Sequence, residues 1–267
     1  MIKKTLTIAG SDSGGGAGIQ ADLKTFQERD TFGMSVITAI TAQNTLGVHG
    51  VYPLELEAIE KQMDAVLSDI GCDAVKTGML FSEEIIMLVS EKMKEYELNN
   101  YVLDPVMIAK GGAPLLQQRA MNALKEHLLP LATVVTPNLP EACEILNISS
   151  IETMDEMKEA AKRIYELGPK SVLMKGGHLE SDESYDVLYD GSDFTILPAK
   201  RIQTKHTHGT GCTYSAAICA ELAKGKTIVE AVKTGKAFIT AAISESLPIG
   251  HGIGPTNHAA YRYQNKK

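Results

Sequence analysis

The chain has 267 residues, 44% of them apolar and 22% charged, a length that suits one large domain or two small ones. Its composition is close to the globular average and excludes a disordered chain, a fibrous repeat and a collagen. Its 26 basic and 33 acidic residues leave a net charge of −7, so there is no electrostatic footprint for nucleic acid or for an anionic membrane.

A bound phosphate must then be held by local groups: backbone amides, one lysine or a metal. No apolar run approaches the ~18 residues of a membrane span. The basic start of the chain, residues 1–9, has a short apolar stretch and reads as a first strand, not as an export signal. The four cysteines, Cys72, Cys143, Cys212 and Cys219, show no CxxC pairing. Free thiols in a reducing cytoplasm are the expectation.

In chain order, residues 4–9 are expected as a strand, 10–17 as a glycine-rich loop and 18–29 as a helix. Residues 34–40 form a second strand, followed by a polar loop around Gln43, Asn44 and Thr45. Leu56, Ile59, Met63, Val66, Leu67 and Ile70 keep one helical face over 55–70. Strands at 73–77, 101–105 and 133–136 alternate with helices at 83–96 and 117–128. A further helix, marked by Met154, Met157, Ala161, Ile164 and Leu167 and closed by Gly168, precedes a strand at 171–175. Residues 185–189 and 194–198, separated by Asp190 and Gly191, read as an edge hairpin. Helices at 211–223 and 227–246 close the chain.

Strand–helix alternation of this kind implies βαβ units and a mainly parallel sheet covered on both faces. No linker, charge block or internal repeat divides it, so residues 1–267 are expected as one domain. Ligands of such sheets bind at the carboxyl ends of the strands. The loops there should therefore carry the function.

Gly10 to Gly18 follows the first strand and opens a helix, where glycines permit close approach and a helix start offers amides to an anion. A formal dinucleotide fingerprint at Gly16, Gly18 and Ala21 is rejected, because the next strand lacks the acidic residue that would hold a ribose. There is no GxxxxGK[ST] element either. Asp22, on the following helix, is either a solvated charge or a ligand for a polar substrate group. Asn138 and Glu141 fit a capping box, and Glu141 equally fits a water-mediated Mg²⁺ ligand. Asp104 ends a central strand, where a carboxylate must be paired, hydrated or metal-bound. Lys175 ends another and can reach a phosphate as a point charge. His178 and His208 lack metal-ligand spacing, so zinc is rejected.

The most informative stretch is Thr207-His208-Gly209-Thr210-Gly211-Cys212, which leads into a helix. Gly209 and Gly211 free the backbone so that successive N–H groups converge, and the helix start adds partial positive charge. Such an anion nest suits a phosphoryl group in flight. Cys212 sits in that field, which makes a thiolate the expectation.

Taken together, these residues resemble the hydroxymethylpyrimidine/phosphomethylpyrimidine kinases of thiamine biosynthesis, within the ribokinase-like superfamily. The likeness spans nearly the whole chain: Gly10-Ser11-Asp12, residues 14–26, Thr41-Ala42-Gln43-Asn44-Thr45, Lys76-Thr77-Gly78-Met79-Leu80, Asp104-Pro105-Val106-Met107, residues 136–141, Lys175-Gly176-Gly177-His178, residues 207–212 and residues 250–255. It implies a three-layer α/β/α sandwich and a homodimeric kinase dependent on ATP and Mg²⁺. The substrate would be 4-amino-5-hydroxymethyl-2-methylpyrimidine, and then its monophosphate. Gly10, Asp22, Gln43, Met79 and Val106 would line the pyrimidine pocket, with Asp22 and Gln43 bonding ring nitrogen and amine. Cys212 would accept the hydroxyl proton, and the amides of Gly209, Thr210, Gly211 and Cys212 would form the anion hole. Lys175 and Thr210 would bind the ATP phosphates, and Asp104 and Glu141 would organise Mg²⁺. Residues 109–114 resemble a mobile flap. Similar enzymes with the same Gly-x-Gly-Cys ending phosphorylate pyridoxal; Gln43 favours the pyrimidine, since pyridoxal-preferring relatives usually carry Met there.

Overall fold

The computed structural model describes residues 1–107, 118–177 and 183–264. Its strands are β1 (Lys3–Asp12), β2 (Thr31–Asn44), β3 (Gly47–Pro53), β4 (Ala74–Thr77), β5 (Tyr101–Leu103), β6 (Val134–Val135), β7 (Val172–Met174), β8 (Glu183–Tyr189) and β9 (Phe194–Lys200). They join one sheet in the order β3-β2-β1-β4-β5-β6-β7-β8-β9. The strands from β2 to β7 pair in parallel, while β3, β8 and β9 pair antiparallel. The helices are α1 (Gly18–Glu28), α2 (Leu56–Asp69), α3 (Glu83–Glu95), α4 (Gln118–Ala123), α5 (Leu139–Leu146), α6 (Met154–Tyr165), α7 (Thr210–Ala223), α8 (Ile228–Ser244) and α9 (Ala260–Gln264). No helix among the described residues is long and apolar enough to cross a membrane.

Successive side chains on a strand face opposite ways, and the strands here divide two cores accordingly. Leu6, Ile8, Val75, Tyr101, Leu103, Val135, Val172 and Met174 pack with residues of α2, α3, α5 and α6. Ala74, Val102, Val134, Leu173 and Leu188 pack on the other side with α7 and α8. The result is the expected three-layer α/β/α sandwich, with the β8–β9 hairpin at one edge.

Three features depart from expectation. β1 runs on through Gly10, Ser11 and Asp12, because pairing with β2 resumes after a shift between Ala9 and Ser11. β2 likewise runs to Asn44 and turns back as β3, making a second edge hairpin. Its glycines, Gly47 and Gly50, hide the alternating pattern that marks a strand. The helix expected at 117–128 becomes α4, a π-turn (Leu124–Leu128) and a 3-10 turn (Leu129–Leu131), where Pro130 prevents continuation. The flap at 109–114 and His178 lie outside the described residues.

Between β1, β4 and α1 the apolar packing is interrupted by a buried ion pair. Lys76 Nζ donates to both oxygens of Asp22, at 2.9 and 2.8 Å, and both side chains are fully buried. Thr7 Oγ1 donates to Asp22 at 2.6 Å. Removing one partner of a buried pair strands the other charge, at a cost of about 3–5 kcal/mol. Lys76→Met should therefore lower unfolding stability by about that amount, and Lys76→Met combined with Asp22→Leu should recover most of it. Urea melts of the single and double variants test this; equal stability of Lys76→Met and the parent would contradict it.

Candidate active site

At the carboxyl ends of β1, β4, β5 and β7 lies a cavity of about 190 Å³. Gly10 forms part of its wall because Met79 leans on it: a Cβ there would lie 2.4 Å from the Met79 methyl carbon. Gln43 and Val106 complete the expected pocket residues on this wall. Asp22 does not. It is buried beneath the cavity, with its carboxylate held by Lys76 and Thr7, and is not among the lining residues. Lys76 lines the cavity in its place. A lysine inside the short apolar strand Ala74–Thr77 was the available sequence signal.

The glycine-rich loop after β1 also differs from expectation. Its amides are not offered to a ligand, because an internal anion takes them. Asp12 Oδ1 accepts N–H from Gly14 at 2.8 Å, and Oδ2 accepts from Gly16 and Ala17 at 3.0 and 2.8 Å. His208 Nε2 lies 2.8 Å from Asp12 Oδ2. Burial opposes ionisation of Asp12, but His208 and these amides outweigh it and hold the carboxyl below its ordinary range. Neither Asp12 nor His208 was singled out as functional from sequence.

That contact brings the second loop against the first. Gly209 is the N-cap of α7, with φ +79°. A Cβ at Gly209 would sit 1.7 Å from the Gly16 carbonyl oxygen, so no other residue fits. Thr210 Oγ1 donates to the Thr207 carbonyl at 2.7 Å. Gly211 and Cys212 stand in the first turn of α7 and line the cavity, where helix geometry leaves their N–H groups without intrahelical acceptors. The segment from Gly250 to Pro255 braces this turn: His208 N–H donates to the Gly254 carbonyl, and Ile253 N–H to the Thr45 carbonyl.

Cys212 lines the cavity as expected, but not as a ready thiolate. Burial pushes its thiol up to about 11. Lys76 pulls it down, while Asp22 and Asp104 push it further up. The helix terminus is outweighed because desolvation acts on the same charge.

Opposite Cys212 is a cluster of charges. Lys175 Nζ lies 3.0 Å from Asp104 Oδ1 and 3.9 Å from Glu141 Oε2. Asp104 also accepts from Thr136 at 3.2 Å and from Ser215 at 3.3 Å. Burial favours its neutral form, but Lys175 and Lys76 hold it below the ordinary carboxylate range. Glu141 meets the capping alternative of the two left open by sequence. It closes a capping box with Asn138, at 2.8 Å in each direction, and it lines the cavity. Burial raises its carboxyl to about 7, against the pull of Lys175. Among the described residues no group of three or more His, Cys, Asp or Glu gathers as a metal cage. Two carboxylates fit an ion that keeps its waters and binds phosphate oxygens as well.

A second cavity of about 370 Å³ adjoins the first. The two share Asn138, Lys175, Thr207, Thr210 and Gly211, and the second continues over Ile202, Tyr214, Ile239 and Ile243. Two binding chambers thus meet at the first turn of α7, beside Lys175.

The sequence model of the family described as Phosphomethylpyrimidine kinase matches residues 12–257. The hydroxymethylpyrimidine/phosphomethylpyrimidine kinase of Bacillus subtilis is 53% identical over 262 residues, covering 98% of this chain and 96% of that one. The pyridoxine kinase of the same organism is 49% identical over 264 residues, covering 98% and 97%. The solved pyridoxal kinase of Staphylococcus aureus, in complex with AMP-PCP and pyridoxal, superposes with a TM-score of 0.92 at 44% identity, covering 98% of this chain and 95% of that one. Two chambers meeting at a helix start and full-length similarity to small-molecule kinases agree: this chain belongs to the phosphomethylpyrimidine kinase family and is a phosphotransferase.

Proposed function

We propose that the chain, as a single domain, transfers the terminal phosphoryl group of ATP to 4-amino-5-hydroxymethyl-2-methylpyrimidine and then to the resulting monophosphate. The observation that carries this reading is the junction of the two chambers at Thr210 and Gly211, in the first turn of α7 next to Cys212. The smaller chamber, bounded by Gly10, Gln43, Met79 and Val106, suits a small flat ring with polar edges. The larger, with its isoleucine wall, suits a nucleotide whose phosphates reach Lys175 and Thr210.

In this arrangement the protein works by positioning and by charge stabilisation. The α7 amides stabilise charge as it spreads over the migrating phosphoryl group. Lys175 neutralises phosphate oxygens, held in place by Asp104. Asp104 and Glu141 would hold Mg²⁺, which supplies further neutralisation of the phosphates when bound. Cys212 is the base for the hydroxyl proton. With its thiol at about 11, only about one molecule in 10⁴ is a thiolate at neutral pH.

Free cysteines favour the reducing cytoplasm expected from sequence, and exposed Ile40, Leu46 and Tyr52 on the β2–β3 hairpin and its turn favour a homodimer. Pyridoxal is the competing substrate, favoured by the 49% identity to a pyridoxine kinase. Relative kcat/KM for the pyrimidine alcohol and pyridoxal decides between them; the pyrimidine should be preferred, and a clear pyridoxal preference overturns the substrate.

The raised thiol fixes the sign of the pH dependence. Cys212 must lose its proton before it can take one, so kcat should climb with pH between 7 and 9 by about tenfold per unit. Cys212→Ala should abolish that slope and lower kcat by about 10²–10⁴-fold, with pyrimidine binding little changed. A Cys212→Ala enzyme with full turnover would remove Cys212 from the base role. Glu141→Gln should raise the Mg²⁺ concentration needed for half-maximal rate, measured by magnesium titration at saturating ATP; an unchanged requirement would leave Glu141 as a helix cap only.

A further inference from the structure

Gln43 lines the smaller cavity, and its amide makes contacts at both ends. At one end stands His208, whose Nε2 lies 2.8 Å from Asp12 Oδ2. The Asp12 carboxylate already accepts N–H groups from Gly14, Gly16 and Ala17. A carboxylate ringed by backbone donors is ionised and can only accept. His208 therefore carries a proton on Nε2 and donates it to Asp12, leaving no lone pair there for Gln43. Yet Gln43 turns its amide nitrogen to that atom at 3.3 Å, donor against donor.

At the other end, Gln43 Oε1 lies 3.2 Å from Thr41 Oγ1. The single hydrogen of that hydroxyl goes to the Ser11 carbonyl at 2.8 Å. Here acceptor meets acceptor. The two ends of a side-chain amide have the same shape, and a half-turn exchanges them. After the half-turn, the Gln43 oxygen faces the His208 N–H and shares its hydrogen with Asp12 as the longer arm of a bifurcated bond, and one amide hydrogen goes to Thr41. The other amide hydrogen is left for a ligand in the cavity.

We infer that the Asp12–His208 pair locks Gln43 with its NH₂ group toward the cavity, which makes His208 a specificity-determining positioning residue. It acts through Gln43 and selects ligands that present an acceptor, such as an aromatic ring nitrogen, to that wall. Thr41 strengthens the same choice from the other side. The inference rests on reading this cavity as the pyrimidine site.

Calorimetric binding to the full chain tests it, using the pyrimidine alcohol and its two analogues in which one ring nitrogen is replaced by C–H. The parent compound should bind at least about tenfold more tightly than one analogue, the loss expected when a site's donor is left unpaired. Equal binding of all three compounds overturns the inference. Gln43→Glu, which offers only oxygen, should weaken the parent by about tenfold and erase the discrimination; unchanged or tighter binding would mean that Gln43 presents its oxygen. His208→Phe keeps a ring but removes the donor, so the parent-to-analogue ratio should fall toward one. In a Gln43→Met background, His208→Phe should leave that ratio unchanged. If His208→Phe weakens every ligand equally in both backgrounds, His208 only clamps the loops and the inference fails. Gln43→Glu leaves the clamp intact and so decides even where His208→Phe does not fold. Binding of pyridoxal but not of the pyrimidine would sink the substrate reading alone; the same series run with pyridoxal and its ring-carbon analogue still decides whether His208 acts through Gln43.

Discussion

Everything at the site depends on one carboxylate whose oxygens are held by the protein's own donors. Asp12 gathers the amides of Gly14, Gly16 and Ala17 and the ring of His208 around its two oxygens. These contacts fold the loop after β1 into a tight cup and pull the turn before α7 down onto it. Gly209 then rests against the Gly16 carbonyl at a distance that no side chain permits. Hydrogen bonds to an ionised acceptor are the stronger kind, about 1.5–3 kcal/mol each. They set where α7 begins, and hence where its unpaired amides converge.

A second constraint lies below the cavity. Asp22 and Lys76 form a closed pair in an otherwise apolar layer, and Lys76 still reaches the cavity wall. Within the pair, Lys76 pulls the Cys212 thiol down while Asp22 pushes it up. Burial, with Asp22 and Asp104, prevails, so the thiol stays protonated at rest. On the far side, Asp104 serves two cations: it anchors Lys175 directly and feels Lys76 through space. The site therefore holds Lys175 and the Cys212 thiol in one field. A change in any of these charges moves the others.

Much of this was legible in the sequence. The alternation of short strands and longer helices gives the layered sheet, because period and length are local properties. The two loops that build the site were visible as glycine runs next to helix starts. Cys212, Lys175, Asp104, Glu141, Gln43, Met79, Val106 and Gly10 all line the cavity. What the sequence hid depended on partners distant in the chain. The pairing of Asp22 with Lys76, on another strand, is one such feature. The amides of the first loop look free until Asp12 is seen to take them. The second hairpin is hidden because Gly47 and Gly50 break the alternation that marks β3. The state of Cys212 is set by burial, which spacing does not report.

The central claim is that the first-turn amides of α7, with Cys212 beside them, receive the charge of a migrating phosphoryl group. A crystal structure of the full chain with the pyrimidine alcohol and a non-hydrolysable ATP analogue tests it most directly. The terminal phosphoryl oxygens should lie about 3 Å from the amide nitrogens of Gly211 and Cys212, with the alcohol oxygen within about 3.5 Å of Cys212 Sγ. A terminal phosphate held elsewhere, with those amides bound only to water and the sulfur turned from the alcohol, would contradict the account.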